Sequence, residues 1–275
     1  MNKKMTWSKF FIYAALILGS VMMLIPFLWM ISTSLKNKSQ TLAYPPIWIP
    51  RPTHFENYPE AISKFPFVRY FLNNVKIVGL ITLGTVVTST MAGYAFARMR
   101  FKGRDALFMI VLGMMMIPGQ VTMIPVFLLV KQMGMINTHW SLIVPSIASS
   151  FNIFLMRQYF ITLPRDLEDA AYVDGCKPLG VFFKIFLPLA GPPVSALCVL
   201  TVAGSWNSFM WPLILISDKN KQMLSVGLLQ FTGQYASDTH LMMAAATLTL
   251  MPLMILYMFT QRYFIEGIAF SGVKG

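Results

Sequence analysis

Six long apolar stretches constrain this chain more than any other feature of its sequence. Each reaches the minimum of about 17 residues that a helix needs to cross a bilayer. None of the six contains an aspartate or a glutamate. They cover residues 10–35, 77–97, 106–130, 140–156, 186–216 and 241–260. The sequence therefore predicts an all-α integral membrane protein in which residues 1–275 form one transmembrane domain of six helices.

The charged residues agree with a membrane location and predict an orientation. Only 12% of the 275 residues are charged, against about 25% in a soluble domain, and 22 basic residues outnumber 10 acidic ones. A nucleic-acid-binding protein would need a polar, basic face, which so apolar a chain does not offer. The N-terminal tail has three basic residues and the loops after the second and fourth spans have four each, whereas the loop after the third span has only Lys131; the loop at residues 36–69, after the first span, also holds five. Since basic loops mark the cytoplasmic side, we expect a multi-pass membrane protein with both termini in the cytoplasm.

The sequence offers no catalytic, metal-binding or cofactor-binding residues. Cys176 and Cys198 are too few for a disulfide framework and are interpreted as free thiols. None of the three histidines has a second histidine or cysteine at metal-ligand spacing. The chain lacks the glycine-rich loop that binds the phosphates of ATP. Ion-coupled carriers need an ionisable group at membrane depth, and the acid-free spans disfavour that class. If the chain takes part in active transport, another subunit must supply the energy.

Uncharged polar residues lie inside the spans, and the third span is interrupted by residues 118–120, Pro-Gly-Gln. Hydroxyl-bearing residues in such positions often hold neighbouring helices together. They would equally suit a path for a neutral, hydroxylated solute such as a sugar. Trp206 and Asn207 in the fifth span are the candidates for that path, because an indole can stack on a sugar ring and a buried amide needs partners. The sequence leaves both interpretations open.

A short segment between the fourth and fifth spans, residues 166–174, holds four of the ten acidic residues. The spacing predicts a short surface helix, with Asp166 capping its start and Gly175 ending it in a left-handed turn. Ala170 and Ala171 are expected on one face of this helix. Such small side chains would let the backbone of a partner protein approach closely.

This segment resembles the EAA motif of binding-protein-dependent ABC transporter permeases. The matching residues are Asp169, Ala170, Ala171, Gly175, Ile185, Leu187 and Pro188. Asp169 stands where the family has a glutamate, and Glu168 precedes it. Other family-like stretches are FLWMISTSLK (27–36), AGYAFARMRFKGR (92–104), NIFLMRQYF (152–160), SWNSFMWPL (205–213) and GIAFSGVKG (267–275). Together they resemble the smaller permease subunit of the carbohydrate uptake branch, the maltose-transporter type.

The resemblance implies three contact regions. The first is a cytoplasmic coupling helix within residues 164–185, called here the coupling segment, which would dock on an ATPase subunit through Glu168, Asp169, Ala170, Ala171 and Gly175. The second is the C-terminal tail, expected to contact the ATPase through Gly272, Val273, Lys274 and Gly275. The third is an outer loop expected to contact the solute-binding protein through Gln230, Gly233, Gln234 and Tyr235.

The implied function is that of the permease subunit of an ATP-driven importer for a sugar or oligosaccharide, in a bacterial or archaeal cell membrane. The expected partners are a second permease, two ATPase subunits, an external solute-binding protein and the lipid bilayer. ATP and Mg²⁺ would bind to the ATPase, and this chain would bind no cofactor. Two alternatives remain open: import of another solute such as glycerol 3-phosphate, or ion-coupled transport. Basic residues along the path would favour the phosphate, and the spans contain none.

Overall fold

A computed structural model describes residues 7–232 and 238–272, and every regular element in these ranges is helical. The first part of the chain contains α1 (Trp7–Ser34), α2 (Lys38–Thr41), α3 (Asn57–Ser63), α4 (Phe67–Arg98), α5 (Arg104–Met115), α6 (Met123–Gln132), α7 (Trp140–Ser146) and α8 (Ser150–Thr162). The second part contains α9 (Asp166–Val173), α10 (Pro178–Val181), a π-helical turn (Phe182–Phe186), α11 (Leu187–Leu189), α12 (Gly191–Trp206), α13 (Met210–Leu215), α14 (Leu224–Gly227) and α15 (Thr239–Gly272), with 3-10 turns at Lys219–Lys221 and Leu228–Phe231.

Three helices in the described ranges are long and apolar enough to cross a membrane: Phe11–Ser34, Phe67–Arg98 and Thr239–Thr260. A fourth candidate is the pair Pro178–Leu189 and Gly191–Trp206, which is bent by 76°. The predicted all-α fold class is confirmed. The count of six spans stays a prediction, because the third and fourth apolar stretches each consist of two shorter helices.

The interruptions follow from local chemistry. The predicted break in the third apolar stretch is confirmed, since residues 116–122 separate α5 from α6 and contain the Pro-Gly pair. The fourth stretch breaks at residues 147–149, where the Ser149 hydroxyl accepts a hydrogen bond from the Asn152 amide (3.3 Å) and so caps α8. The fifth bends just before Pro192 and Pro193, which begin a helix readily but cannot continue one.

One compact unit combines residues 7–67 with residues 227–232 and 238–251. In it, the loop after α1 is fixed to the end of that helix. The Asn57 side chain donates hydrogen bonds to the carbonyl oxygens of Ser34 (2.8 Å) and Lys36 (2.7 Å). The buried Lys36 ammonium lies 3.7 Å from the centre of the Trp29 ring, and Trp29 packs edge-on against Trp48. The proline-rich loop is therefore anchored by an amide and by an aromatic pair.

The other unit covers residues 68–226 and 252–272 and contains an aromatic core. The core cluster consists of Tyr94, Met156, Phe160, Ala171, Val181, Phe182, Phe186, Ala190 and Leu197. Helices α4 and α8 approach each other closely beside it, at Gly93. A Cβ atom on Gly93 would lie 2.6 Å from Met156 Cβ and 2.9 Å from the Arg157 amide nitrogen. Only glycine permits this helix contact, since both distances are shorter than a normal van der Waals separation.

The variant Gly93→Val is expected to lower the thermal unfolding midpoint of the purified chain in detergent. Overpacking of this kind costs about 1–3 kcal/mol, because the added side chain has to push α8 away from α4. Gly79→Val is the matched control on the same helix, since a Cβ atom at Gly79 meets no atom within 4 Å. Equal midpoints for the two variants would contradict the close packing at Gly93.

Candidate functional site

The coupling segment begins with helix α9, whose first turn contains Asp166, Glu168 and Asp169. Three carboxylates there are favoured by the partial positive charge of a helix N-terminus. The predicted capping role of Asp166 is wrong, because the helix starts at Asp166 itself and no side chain caps it. Arg165 occupies the preceding position. The acids therefore act through charge rather than through a capping hydrogen bond.

The end of α9 has the predicted left-handed turn at Gly175, where φ is +78°. The Gly175 amide donates to the Tyr172 carbonyl (3.0 Å), and the Cys176 amide donates to the Ala171 carbonyl (2.9 Å). These two bonds form a Schellman motif, which satisfies carbonyl groups that would otherwise end the helix unpaired. The turn fixes the direction in which the chain continues into α10.

Gly175→Val is expected to distort this turn and to reduce transport by the assembled complex. A β-branched residue in the left-handed region costs at least about 1–2 kcal/mol. No atom lies within 4 Å of a Cβ at this position, so the cost comes from the backbone and not from a clash. Gly175→Asn is the control, since asparagine adopts this conformation more readily. Transport rates that fall equally in the two variants would contradict the conformational explanation.

The two alanines of the motif lie in different surroundings. Ala171 is 4% exposed and packs in the aromatic core beside Tyr94 and Phe160. Ala170 is exposed. The expectation that both alanines belong to one docking face is therefore wrong for Ala171. Its small side chain lets α9 approach the core of its own chain.

Arg98, the last residue of α4, connects three elements at this site and was not singled out from the sequence. Its side chain is 5% exposed. The guanidinium donates two hydrogen bonds to the carbonyl oxygen of Phe160 (3.0 and 2.6 Å) and one to that of Leu163. It also lies 5.1 Å from the centre of the Phe186 ring. The sequence feature that could have identified Arg98 is its position at the end of an apolar span, within the family-like stretch 92–104.

Glu168 turns toward its own chain. Its carboxylate lies 3.8 Å from the Arg98 guanidinium, and its side chain is 14% exposed. The other carboxylate oxygen accepts a hydrogen bond from the Tyr172 hydroxyl (3.1 Å). Burial and the neighbouring Glu168 raise the pKa of Tyr172 above its ordinary value, so this hydroxyl remains a neutral donor at physiological pH. Glu168 therefore ties α9 to the end of α4 instead of pointing outward.

The outward surface of the coupling segment mixes acidic and apolar side chains. Asp169 and Ala170 are exposed, and Val173 is 88% exposed. Leu179 and Phe183, in the turns that follow, are also exposed. Several exposed apolar side chains in one short segment are typical of a surface that a partner covers. Within the described residues, no group of acidic, histidine or cysteine side chains could hold a metal ion.

Neither residue of the predicted substrate-path pair lines the cavity that lies next to it. Trp206 is 6% exposed, with its ring 6.0 Å from that of Phe71. Asn207 is exposed, and its side chain donates to the carbonyl oxygen of Ala203 (3.0 Å), in the helix that ends just before it. A cavity of about 630 Å³ lies beside them, lined by their neighbours Ser205 and Ser208.

Only two of the other predicted contact residues lie within the described part of the chain. Gln230 is exposed in the 3-10 turn Leu228–Phe231, and Gly272 is the last residue of α15. The remaining predicted residues of the loop and tail lie outside the described residues: Gly233, Gln234, Tyr235, Val273, Lys274 and Gly275. Their roles stay predictions.

The chain is similar to a known protein family and to individual transport proteins. Residues 84–269 match the family "Binding-protein-dependent transport system inner membrane component". The probable ABC transporter permease protein YurM of Bacillus subtilis is 36% identical over 253 residues, which cover 91% of this chain and 83% of YurM. The arabinooligosaccharides transport system permease protein AraQ of Halalkalibacterium halodurans is 40% identical over 206 residues, which cover 75% of this chain and 74% of AraQ.

A solved structure shares the fold. It is the crystal structure of a bacterial ABC transporter involved in the import of the acidic polysaccharide alginate, and the TM-score is 0.83 at 23% identity. The alignment covers 96% of this chain and 100% of that chain. Together with the apolar helices and the coupling segment, these matches show that the chain belongs to the family of binding-protein-dependent transport system inner membrane components. It is a multi-pass permease subunit of an ABC importer and not an enzyme, and it works with another permease, an ATPase and a solute-binding protein.

Proposed function

We propose that this permease imports an uncharged sugar or oligosaccharide delivered by an external solute-binding protein. The relative AraQ is named for arabinooligosaccharide transport. The cavity beside α12 supports the same solute class, because its lining residues carry hydroxyl, amide and indole groups and no ionisable side chain. Glycerol 3-phosphate, the alternative, would call for basic groups to balance its charge.

The exposed surface of the coupling segment supports docking of the ATPase at this place. Asp169, Ala170 and Val173 present a narrow surface of small, apolar and acidic side chains. Glu168 and Ala171 face the rest of the chain and would hold this surface in position, Glu168 through Arg98 and Ala171 through the aromatic core. Docking energy would therefore come from Ala170 and its exposed neighbours, while the two inward residues keep the helix in place.

The complete transporter would contain one copy of this chain, a second permease and two ATPase subunits. Both termini would lie in the cytoplasm, with the tail from Gly272 to Gly275 against the ATPase. The loop around Gln230 to Tyr235 would lie outside the membrane and contact the binding protein. ATP and Mg²⁺ would bind to the ATPase subunits, and this chain would need no cofactor of its own.

Reconstitution tests the proposed function. The four components are placed in liposomes with ATP inside and the binding protein outside, and uptake of radiolabelled arabinotriose, raffinose and lactose is measured. We expect uptake of at least one sugar, dependent on ATP and on every component. Liposomes that contain this chain alone should take up none. ATP-dependent uptake by the chain alone, or uptake of glycerol 3-phosphate in place of the sugars, would overturn the proposal.

A further inference from the structure

The cavity in the unit formed by residues 68–226 and 252–272 has the size of a small-molecule site. Its volume is about 630 Å³, inside the range of roughly 300–1,000 Å³ that is usual for such sites. Residues of α4, α6, α7, α12 and α13 line it. Every lining residue belongs to this single unit.

Two breaks in the helical chain meet at this cavity. The break at residues 116–122 contributes Gly119, Gln120 and Thr122, and the break at residues 207–209 contributes Ser208. Both breaks fall inside apolar stretches that predict membrane spans. Non-helical backbone at membrane depth is tolerated where it is buried in protein or lines an aqueous cavity. The convergence of two breaks on one open space therefore indicates a cavity that admits water and polar solutes.

The lining has the hydrogen-bonding chemistry of a sugar site. Its polar side chains include those of Gln120, Thr122, Ser141, Ser205, Ser208 and Trp211. In the described part of the chain, the side chains of Gln120, Ser205 and Ser208 make no hydrogen bond, so their donors and acceptors remain available to a solute. The Trp211 indole adds a flat apolar surface with one donor, which suits the face of a sugar ring.

We propose that this cavity is a solute-contact site contributed by this subunit, at which an uncharged hydroxylated solute binds Gln120, Ser205, Ser208 and Trp211 during import. The inference rests on the proposed function and adds to it the place where this subunit touches the solute. It moves the contact from Trp206, which is buried, and from Asn207, which is exposed outside the cavity lining, to four residues of that lining. The anionic alternative has no charged partner in this lining.

Gly204 allows the cavity to be filled without disturbing the fold. It lines the cavity from within α12, and a Cβ atom added there meets no atom within 4 Å. The variants Gly204→Ala and Gly204→Leu therefore place increasing bulk in the open space. Gly113→Leu is the matched control: Gly113 also has open space around its Cβ position and lies in helix α5, outside the cavity lining.

The first measurement is sugar uptake by the complete reconstituted transporter, with arabinotriose, raffinose and lactose as probes. We expect Gly204→Leu to lower uptake about tenfold or more, Gly204→Ala to lower it less, and Gly113→Leu to leave it unchanged. Complex assembly and the ATPase activity without solute should be unchanged in all three variants. Normal uptake by Gly204→Leu would overturn the inference, and so would loss of assembly in that variant, since a partner helix would then occupy the cavity.

The second measurement follows the labelling of a cysteine in the cavity instead of sugar uptake. Ser208→Cys is made in a chain that also carries Cys176→Ser and Cys198→Ser, and the assembled transporter is treated with a charged, water-soluble thiol reagent. Labelling that the imported sugar slows supports a solute site. Absence of labelling, or labelling that the sugar does not slow, would overturn it. Lack of uptake of all three sugars by the wild-type transporter would refute the proposed function. Labelling of the Ser208→Cys variant would in that case still show whether water reaches the cavity.

Discussion

Ala171→Arg is expected to prevent correct folding of this permease, whereas Ala170→Arg, one residue earlier, is expected to leave the fold intact and release the ATPase. Ala171 is 4% exposed and belongs to the core cluster that includes Tyr94 and Phe160. A guanidinium there would be buried with no room and no partner, at a cost on the order of 4 kcal/mol. Ala170 is exposed, and an arginine there would reach solvent without crossing the core.

Two measurements separate these effects. The amount of folded protein in the membrane, measured by size-exclusion chromatography in detergent, should fall for Ala171→Arg and stay normal for Ala170→Arg. Co-purification of the ATPase should be lost for Ala170→Arg, since blocking a close-packed contact costs about 2 kcal/mol or more, roughly a 30-fold change in affinity. Ala170→Ser is the control, because it adds one small polar atom and should retain the ATPase.

Each half of this expectation can fail separately. A normal yield of folded Ala171→Arg would contradict the burial of that residue. A folded Ala170→Arg variant that still binds the ATPase with wild-type affinity would show that this surface of α9 does not dock. The comparison is informative because the two positions differ in environment while the substituted residue is the same.

The sequence predicted the parts of the site that depend on local backbone chemistry. A glycine at the end of a short amphipathic segment indicates a left-handed turn, and Gly175 has a φ of +78°. A Pro-Gly pair inside an apolar stretch indicates a break, and residues 116–122 are not helical. Both features are decided by which φ values a residue can adopt and by a missing amide hydrogen. No distant contact is needed to predict them.

The orientation of side chains around α9 could not be predicted in the same way. Ala170 and Ala171 are adjacent in sequence and equally small, so composition gives no reason to assign one inward and the other outward. Tertiary contacts decide between them, since Tyr94 and Phe160 come from helices α4 and α8. The cavity could not be predicted from the sequence for a related reason. It is formed where two distant chain breaks meet, and Trp206 was the more prominent residue in the sequence.

Arg98→Met is expected to uncouple ATP hydrolysis from transport by loosening the end of α8, and with it the start of α9, from α4. The guanidinium donates to the carbonyl groups of Phe160 and Leu163 near the end of α8, where the helix carries partial negative charge. Hydrogen bonds from a charged donor contribute about 1.5–3 kcal/mol each, so the variant should lose about 3 kcal/mol or more. Sugar uptake per ATP hydrolysed is the measurement, since a change in yield alone would leave this ratio unaltered.

Arg100→Met is the matched control for this variant. Arg100 is exposed two residues further along the chain, and the same substitution there removes a charge without removing buried hydrogen bonds. We expect it to leave the ratio of uptake to ATP hydrolysis near the wild-type value. Arg98→Lys should be intermediate, because a lysine keeps the charge but cannot present several donors in one plane. A normal ratio for Arg98→Met would show that this arginine does not position the coupling helix.

The geometry also predicts which partner of Arg98 matters more. Its closest contact with Phe160 is 2.6 Å, whereas the Glu168 carboxylate is 3.8 Å away and accepts a hydrogen bond from Tyr172. The hydrogen bonds to the carbonyl groups should therefore contribute more stabilisation than the ion pair with Glu168. Glu168→Gln, whose amide oxygen can still accept from Tyr172, should alone have a small effect on the ratio of uptake to ATP hydrolysis. Combining it with Arg98→Met should add the two losses, with a coupling energy below about 1 kcal/mol. A much larger coupling would mean that the ion pair, and not the capping of α8, connects the docking surface to the membrane helices.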